Sequence, residues 1–252
     1  KKLSYVQLPA VKIGGQSFTK LTAIVADLNA APAISCLKID GIIGGNLMRL
    51  AHWEIDYEAD LMRFTNVWEN LKIDSSGNQF NFYTQATGTP VIPEMYIDSV
   101  RISNVTFDTG SAGILGVSKR SLPKMKLDST VKRAYGHLSS GLYGSTIDTN
   151  FYVQKSFVLG SDTIHNFPFE LQAERGNKLL GMRYFKNYRM VLNWDTKTAF
   201  LQKKQTLDVS DLKSFGITFI LKNNYFLVGS LQNKSLAEQG GIALGDTVLR
   251  VN

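Results

Sequence analysis

Two stretches of the chain share one pattern of hydrophobic and polar positions. The first is IIGGNLMRLAHWEIDYEADLMRF (42–64) and the second is LLGMRYFKNYRMVLNWDTKTAFL (179–201). Each contains two aliphatic residues, a glycine, a short amphipathic stretch, and then two alternating segments around a polar turn. The pattern predicts a β-hairpin in each stretch, with turns at 58–60 and 195–197. Gly44 falls on Gly181, an offset of 137 residues.

A second pair of similar segments lies upstream of each stretch. VQLPAVKIGGQSFTKLTAIV (6–25) resembles VQKSFVLGSDTIHNFPFEL (153–171), and Gly14 falls on Gly160, an offset of 146 residues. Each segment reads as a strand, a turn with glycine, and another strand. Two ordered blocks with matched glycines favour an internal duplication. The alternative is the vague self-similarity that is common among β-rich proteins.

Composition narrows the class of protein. The 252 residues suit one large domain or two ordinary ones, and 44% hydrophobic with 19% charged residues is typical of globular proteins. No apolar run approaches the roughly 18 residues of a membrane-spanning helix. The formal charge of +7 is scattered along the chain. This favours a solvated basic surface over nucleic-acid binding, and we expect no nucleic-acid partner.

Cysteine and histidine give no sign of a metal or cofactor site. Cys36 is the only cysteine, so an intrachain disulfide is excluded, and a small core residue is the expected role. The three histidines, His52, His137 and His165, are far apart and lack metal-binding spacing. We therefore expect neither a metal ion nor another cofactor.

One acidic motif stands out between the repeated blocks. The segment VTFDTGSAGILGV places Asp108 between Phe107 and a Thr109-Gly110-Ser111 turn, with the apolar Ile114-Leu115 after it. An acid at the end of a buried strand suits chemistry, whereas an ordinary surface turn is the alternative. A serine-hydrolase elbow is poorly supported, because the G-x-S-x-G spacing is not met around Ser111. The 137-residue offset would place an equivalent acid about 30 residues before Lys1, or some ten more with the other offset.

The motif and the later Leu179-Leu180-Gly181 resemble one lobe of the aspartic peptidases, especially the bacterial retropepsin-like ones. The resemblance covers about 6–202, with 42–64 similar to the closing half of a second lobe. It implies a mostly β, two-lobed fold whose first lobe is incomplete here. It also implies that Asp108 is catalytic, that Thr109, Gly110 and Ser111 shape its loop, and that each lobe supplies one Asp.

The chain departs from the family in showing only one D-T-G motif. Asp40-Gly41 lies in the aliphatic-glycine block, so it does not count as the partner. The partner acid comes from upstream of Lys1 or from a second chain, or the fold is a one-acid binding relic. The Gly- and Ser-rich stretch 136–145 could form a flap over a cleft, with Tyr143 as its contact residue. A solvent-exposed loop is the alternative.

The tail has a different character. Residues 204–213 are polar and predict a linker. Residues 214–252 resemble the first half of a PDZ domain, with a carboxylate-binding loop at Phe215, Gly216 and Ile217, a capped helix near Ser235, and the motif GIALGDTVLRVN. Such domains bind peptide C-termini by adding a strand to an open edge. The second wall of the groove, a helix, is expected after Asn252.

These observations predict an aspartic endopeptidase that acts on a peptide or protein substrate. The predicted parts are the end of a first lobe (1–70), a second lobe with the DTGS motif (79–203), the linker (204–213) and a partial PDZ domain (214–252). The alternative is an inactive peptide-binding adaptor built on the same parts. Analogy with the family suggests a bacterial periplasmic, secreted or outer-membrane lipoprotein.

Overall fold

The chain is mostly β. The computed structural model describes residues 4–28, 34, 38–74, 76–120, 125, 134–141, 144–147, 151–172, 178–207, 216–222 and 224–250. The helices are short: α1 (Gly45–Met48), α2 (Met182–Phe185), α3 (Leu236–Gln239) and a 3-10 turn (Trp68–Asn70). The strands are β1 (Ser4–Ile13), β2 (Gln16–Val25), β3 (His52–Asp56), β4 (Leu61–Thr65), β5 (Asn78–Asn81), β6 (Tyr83–Thr84), β7 (Pro90–Ile97), β8 (Val100–Asp108), β9 (Leu115–Ser118), β10 (Ala134–Gly141), β11 (Gly144–Ile147), β12 (Phe151–Leu159), β13 (Asp162–Gln172), β14 (Leu179–Gly181), β15 (Tyr188–Asn193), β16 (Thr198–Lys203), β17 (Ile217–Lys222) and β18 (Tyr225–Gln232).

The described strands form four sheets. The largest has the order β12-β13-β9-β14-β8-β7-β6, and an additional pairing of β12 with β7 closes it on itself. A five-stranded sheet has the order β4-β3-β15-β16-β5, and a four-stranded sheet has the order β11-β10-β18-β17. The hairpin of β1 and β2 forms a sheet of its own. No helix in the described ranges combines the length and the apolar character needed to span a bilayer.

The similar sequence blocks adopt similar local structures. We call β1–β4 the first unit and β12–β16 the second unit. The turn glycines Gly14 and Gly160 have φ angles of +54° and +60°. The hairpin turns also correspond. Asp56 Oδ1 accepts hydrogen bonds from the backbone N–H groups two and three residues ahead, at 3.1 and 3.2 Å. Asn193 Oδ1 accepts the equivalent two bonds at 3.0 and 3.1 Å. The predicted hairpins are therefore present in both units.

The two units meet through an antiparallel pairing of β3 with β15. Trp53 faces Leu192, Glu54 faces Val191, and Ile55 faces Met190. At the 137-residue offset, Trp53 corresponds to Met190 and Ile55 corresponds to Leu192, so the Trp53–Leu192 pair corresponds to the Ile55–Met190 pair. Glu54 faces Val191, which is its own counterpart at this offset. The register is thus two-fold symmetric about the Glu54–Val191 pair.

Aromatic side chains fill the core of each unit. In the first unit, Trp53 packs on Phe64 with ring centroids 4.8 Å apart, and Phe18 lies 5.6 Å from Phe64. In the second, Phe157 stacks on Phe167 at 4.0 Å, and Tyr184 meets both rings edge-on. Burial of such large rings supplies much of the free energy of folding.

Equivalent aliphatic residues differ in burial between the units. Leu180 in β14 is fully buried, because β14 lies between β8 and β9. Its counterpart Ile43 is 51% exposed, and the neighbouring Ile42 is 60% exposed. Ile24 and Val25 at the end of β2 are 51% and 57% exposed. No described strand covers the first unit at these positions.

A buried ion pair crosses the junction between the units. Arg189 Nε in β15 donates to Glu54 Oε1 at 2.7 Å, and the Glu54 side chain is 3% exposed. Arg189 also donates to the carbonyl oxygen of Lys72 at 2.6 Å. Arg63 reaches the other Glu54 oxygen at only 3.8 Å and from an exposed position. Arg189 is therefore the cation that compensates the buried carboxylate.

Replacing Arg189 by Ala is expected to lower the free energy of unfolding by about 3–5 kcal/mol, because Glu54 would remain buried without its partner. Arg63→Ala is the control and should cost less than about 1 kcal/mol, as expected of an exposed pair. Urea denaturation of both variants measures the difference. Equal losses in the two variants would contradict this assignment.

Candidate active site

Asp108 stands at the end of a buried strand. In β8, Ile102, Val105 and Phe107 are buried, and the strand ends at Asp108. β14 runs parallel to β8, with Leu180 opposite Phe107 and Gly181 opposite Asp108. The Asp108 side chain is only partly buried. The strand therefore presents a carboxylate to solvent from a rigid base.

The loop after Asp108 is built around this carboxylate. The backbone N–H of Gly110 donates to Asp108 Oδ1 at 2.9 Å, and the N–H of Ser111 donates to the Asp108 carbonyl oxygen at 3.2 Å. Ser111 Oγ accepts from the N–H of Gly113 at 3.4 Å. Asp, Gly and Ser suit such turns, because a carboxylate or hydroxyl oxygen can accept from the backbone two residues ahead. The loop fixes one side of the carboxylate and leaves Gly110 exposed.

The end of β14 fastens the loop from behind. The N–H of Gly181 donates to the Ile114 carbonyl oxygen at 2.9 Å, and the N–H of Met182 donates to that of Ser111 at 2.8 Å. Arg183 N–H donates to the Gly113 carbonyl oxygen at 3.2 Å. A Cβ on Gly181 would overlap the Gly113 carbonyl oxygen and would lie 2.9 Å from that of Ser111. Only glycine allows this close approach.

Apolar side chains exclude water beneath the loop. Ile114 and Leu115 are buried, and so are Phe107 and Leu180 on the flanking strands. Phe107 also contacts Phe185, with ring centroids 4.2 Å apart. The apolar residues that follow the motif therefore form a buried support for the loop.

Tyr57, from the first unit, reaches the same loop. Its hydroxyl shares a hydrogen bond with the side chain of Thr109. Burial raises the pKa of Tyr57, and the bond with Thr109 acts in the opposite direction. Sequence reasoning missed this contact, because Tyr57 and Thr109 are far apart along the chain. The loop is thus held by residues of both units.

Glu170 is a second acidic residue near the loop. It lies in β13, opposite Gly116 of β9. Its Oε1 lies 3.3 Å from the position that a Cβ on Gly113 would take. Burial raises the pKa of Glu170 to about 7, and Arg183 acts in the opposite direction. No pattern in the sequence singles out Glu170, since a lone Glu in a strand usually faces solvent.

The structure gathers part of the predicted site. Asp108, Thr109, Gly110 and Ser111 form one loop, as their adjacency requires. Gly216, with a φ angle of +86°, and Ile217 lie at the start of β17 in another sheet. Tyr143 and Phe215 lie outside the described residues, so the flap contact and the full carboxylate loop stay predictions.

The loop supplies one carboxylate and backbone donors. A carboxylate can take a proton from water, but a second group must polarise the carbonyl of a peptide. In the part of the chain that the structure covers, no three His, Cys, Asp or Glu side chains are grouped to hold a metal ion. A partly exposed carboxylate such as that of Asp108 can act as a general acid or base.

Comparisons with known proteins find similarity at the level of solved structures. No protein-family model matches the chain. No curated protein matches its sequence. A solved structure of a retropepsin-like aspartic protease from Rickettsia conorii is similar to 52% of this chain and 95% of that one, with 16% sequence identity and a TM-score of 0.39. A similarity at this level concerns the arrangement of strands and carries no information on activity.

Gly181→Ala should lower the free energy of unfolding by about 2–3 kcal/mol or more, because the new methyl group would overlap the Gly113 carbonyl oxygen. Gly44→Ala is a matched control within the chain. Gly44 has a similar backbone (φ −100° against −106°), and its Cβ would meet only the Asn46 side chain, at 3.2 Å. It should cost less than about 0.5 kcal/mol. Chemical denaturation compares the two, and a larger loss in Gly44→Ala would contradict the close-approach role.

Glu170→Gln should become more stable than the parent as pH rises. A carboxyl whose pKa is raised by folding binds its proton more tightly in the folded state. The stability associated with it is present below about pH 4.5 and is lost as pH rises through about 7. Since one pKa unit corresponds to about 1.4 kcal/mol, the variant should gain at most about 3 kcal/mol at pH 8 relative to pH 4. Urea midpoints at both pH values test this, and a pH-independent difference would refute it.

Proposed function

We propose that this chain is part of an aspartic endopeptidase in which Asp108 is one of two catalytic carboxylates. The supporting observation is the loop itself. A partly exposed carboxylate lies at the end of a buried strand and accepts a hydrogen bond from the Gly110 N–H. The N–H of Gly181 holds the loop from its buried side. Such a loop holds the carboxylate in a fixed position, which is what a catalytic acid or base requires.

The proposed reaction uses two carboxyl groups that share one proton. The ionised group takes a proton from a water molecule, whose oxygen forms a bond to the carbonyl carbon of the peptide. The protonated group gives its proton to the carbonyl oxygen. The tetrahedral intermediate then collapses: one of its hydroxyl groups returns a proton to the second carboxylate, the carbon–nitrogen bond breaks, and the leaving nitrogen takes up the proton that came from water. The two groups titrate as a coupled pair.

We further propose that the carboxylate that pairs with Asp108 belongs to a segment that covers the first unit. In the second unit, β9 covers the end of β13, and β8 and β9 flank β14. The corresponding edges of the first unit expose Ile24, Val25, Ile42 and Ile43. A strand–loop–strand segment upstream of Lys1 would fit these edges and would complete a duplicated, two-lobed fold. A second chain is the alternative source.

An inactive peptide-binding adaptor is the second candidate. Among the described strands, β17 pairs only with β18, so its outer edge is open to an extended peptide. Exposed Phe219 and Leu221 lie on this strand, and Gly216 precedes it. These features favour peptide binding in a PDZ-like manner at the tail. They apply whether or not Asp108 is catalytic.

Asp108→Asn should lower kcat/KM for peptide hydrolysis by at least about 10²-fold, because the amide can neither take nor release the catalytic proton. The assay uses the natural chain, including any residues that precede Lys1, and follows cleavage of a denatured protein by mass spectrometry across pH 3–8. Asp60→Asn, at an exposed turn with a φ angle of +49°, is the control and should keep full activity. Peptide binding without cleavage in the parent protein would favour the adaptor instead.

A further inference from the structure

The hairpin of β10 and β11 shares a sheet with the tail of the chain. Its sequence position is between β9 and β12 of the predicted second lobe, yet Ala134, Tyr135 and Gly136 pair with residues 230–232 of β18. Among the described strands, β10 and β11 pair only with each other and with β18. The hairpin therefore takes its support from the tail.

The contact between β10 and β18 is close at one glycine. Gly136 is buried and has a φ angle of +109°. A Cβ there would overlap the carbonyl oxygen of Gly229 and would lie 2.9 Å from the Cα of Ser230. Gly229 is itself the extra residue where the pairing of β17 with β18 shifts register. The two backbones thus fit together only without a side chain at position 136.

A side-chain bond adds to this contact. The Tyr135 hydroxyl donates to Glu238 Oε1 at 2.8 Å. Glu238 also accepts from the Lys234 N–H through Oε2 at 2.6 Å, and its own N–H donates to Ser235 Oγ at 3.2 Å. These two bonds cap helix α3. One carboxylate therefore joins the cap of α3 to the base of the hairpin.

After Gly136 the strand leaves β18 and pairs with β11 instead. The pairs from His137–Ile147 to Gly141–Gly144 form the rest of the hairpin. A two-stranded hairpin is marginally stable alone in water, and Gly and Ser have low preference for strands. Residues 138–146 are LSSGLYGST. The order of this hairpin must then depend on the strands that extend its sheet.

We propose that β17, β18 and α3 of the tail form the base that positions the hairpin of β10 and β11 for substrate binding. The tail would then hold the hairpin in position through its pairing with β10. Tyr135, Gly136 and Glu238 would be the positioning residues. The role in substrate binding rests on the proposed function. The dependence of the hairpin on the tail does not, because it follows from the shared sheet alone.

Gly136→Ala in the full chain tests whether the tail supports the hairpin. Amide hydrogen exchange in residues 137–147 should accelerate at least tenfold, because the methyl group would separate β10 from β18. Exchange in β15 and β16 should not change. Gly241→Ala is the control: its φ angle is +84°, and nothing lies within 4 Å of the new Cβ. Unchanged exchange in Gly136→Ala, or equal acceleration in Gly241→Ala, would overturn the proposal.

Tyr135→Phe separates positioning from general stability. It should raise KM for a peptide substrate about threefold or more with kcat little changed, and should accelerate exchange in 137–147. Tyr225→Phe, at an exposed position on β18, should change neither. An equal effect of both substitutions on exchange would overturn the proposal. If the parent protein cleaves no peptide, the proposed function fails, and the exchange rates still decide whether the tail holds the hairpin.

Discussion

The approach of Gly181 to the backbone of the Asp108 loop is the constraint on which the site depends. Because position 181 has no side chain, β14 can end directly behind Ser111 and Gly113 and donate hydrogen bonds to the loop. The same strand separates β8 from β9 and carries Leu180 into the core. One missing methyl group therefore links the packing of the sheet to the position of the carboxylate.

The pairing of β3 with β15 is the second organising element. It brings together two parts of the chain that are far apart in sequence, and it buries Glu54 with Arg189 between them. Because β3 is fixed in this way, Tyr57 immediately beyond it reaches Thr109. Residues of the first unit thus help to hold a loop that belongs to the segment before the second unit.

Local patterns allowed part of this to be predicted. The glycine-anchored hairpins and the Asp108 loop follow from turn residues and alternation, which act over a few positions. The prediction of a mostly β fold is confirmed. The support of β10 by β18 could not be foreseen, because nothing near Gly136 specifies a partner about a hundred residues away. Glu170 was missed because burial, not sequence, gives it an unusual pKa.

The symmetric register of β3 also affects how copies of the chain meet during synthesis. All five residues of β3 are buried in the finished fold, yet their partner strand emerges from the ribosome much later. Until then β3 is an open edge that could pair with β3 of another nascent chain. In the corresponding register, Glu54 would face Glu54, and like charges directly opposite destabilise a strand pair. The glutamate that is paired with Arg189 in the folded protein would therefore disfavour a pairing of β3 with β3 in that register.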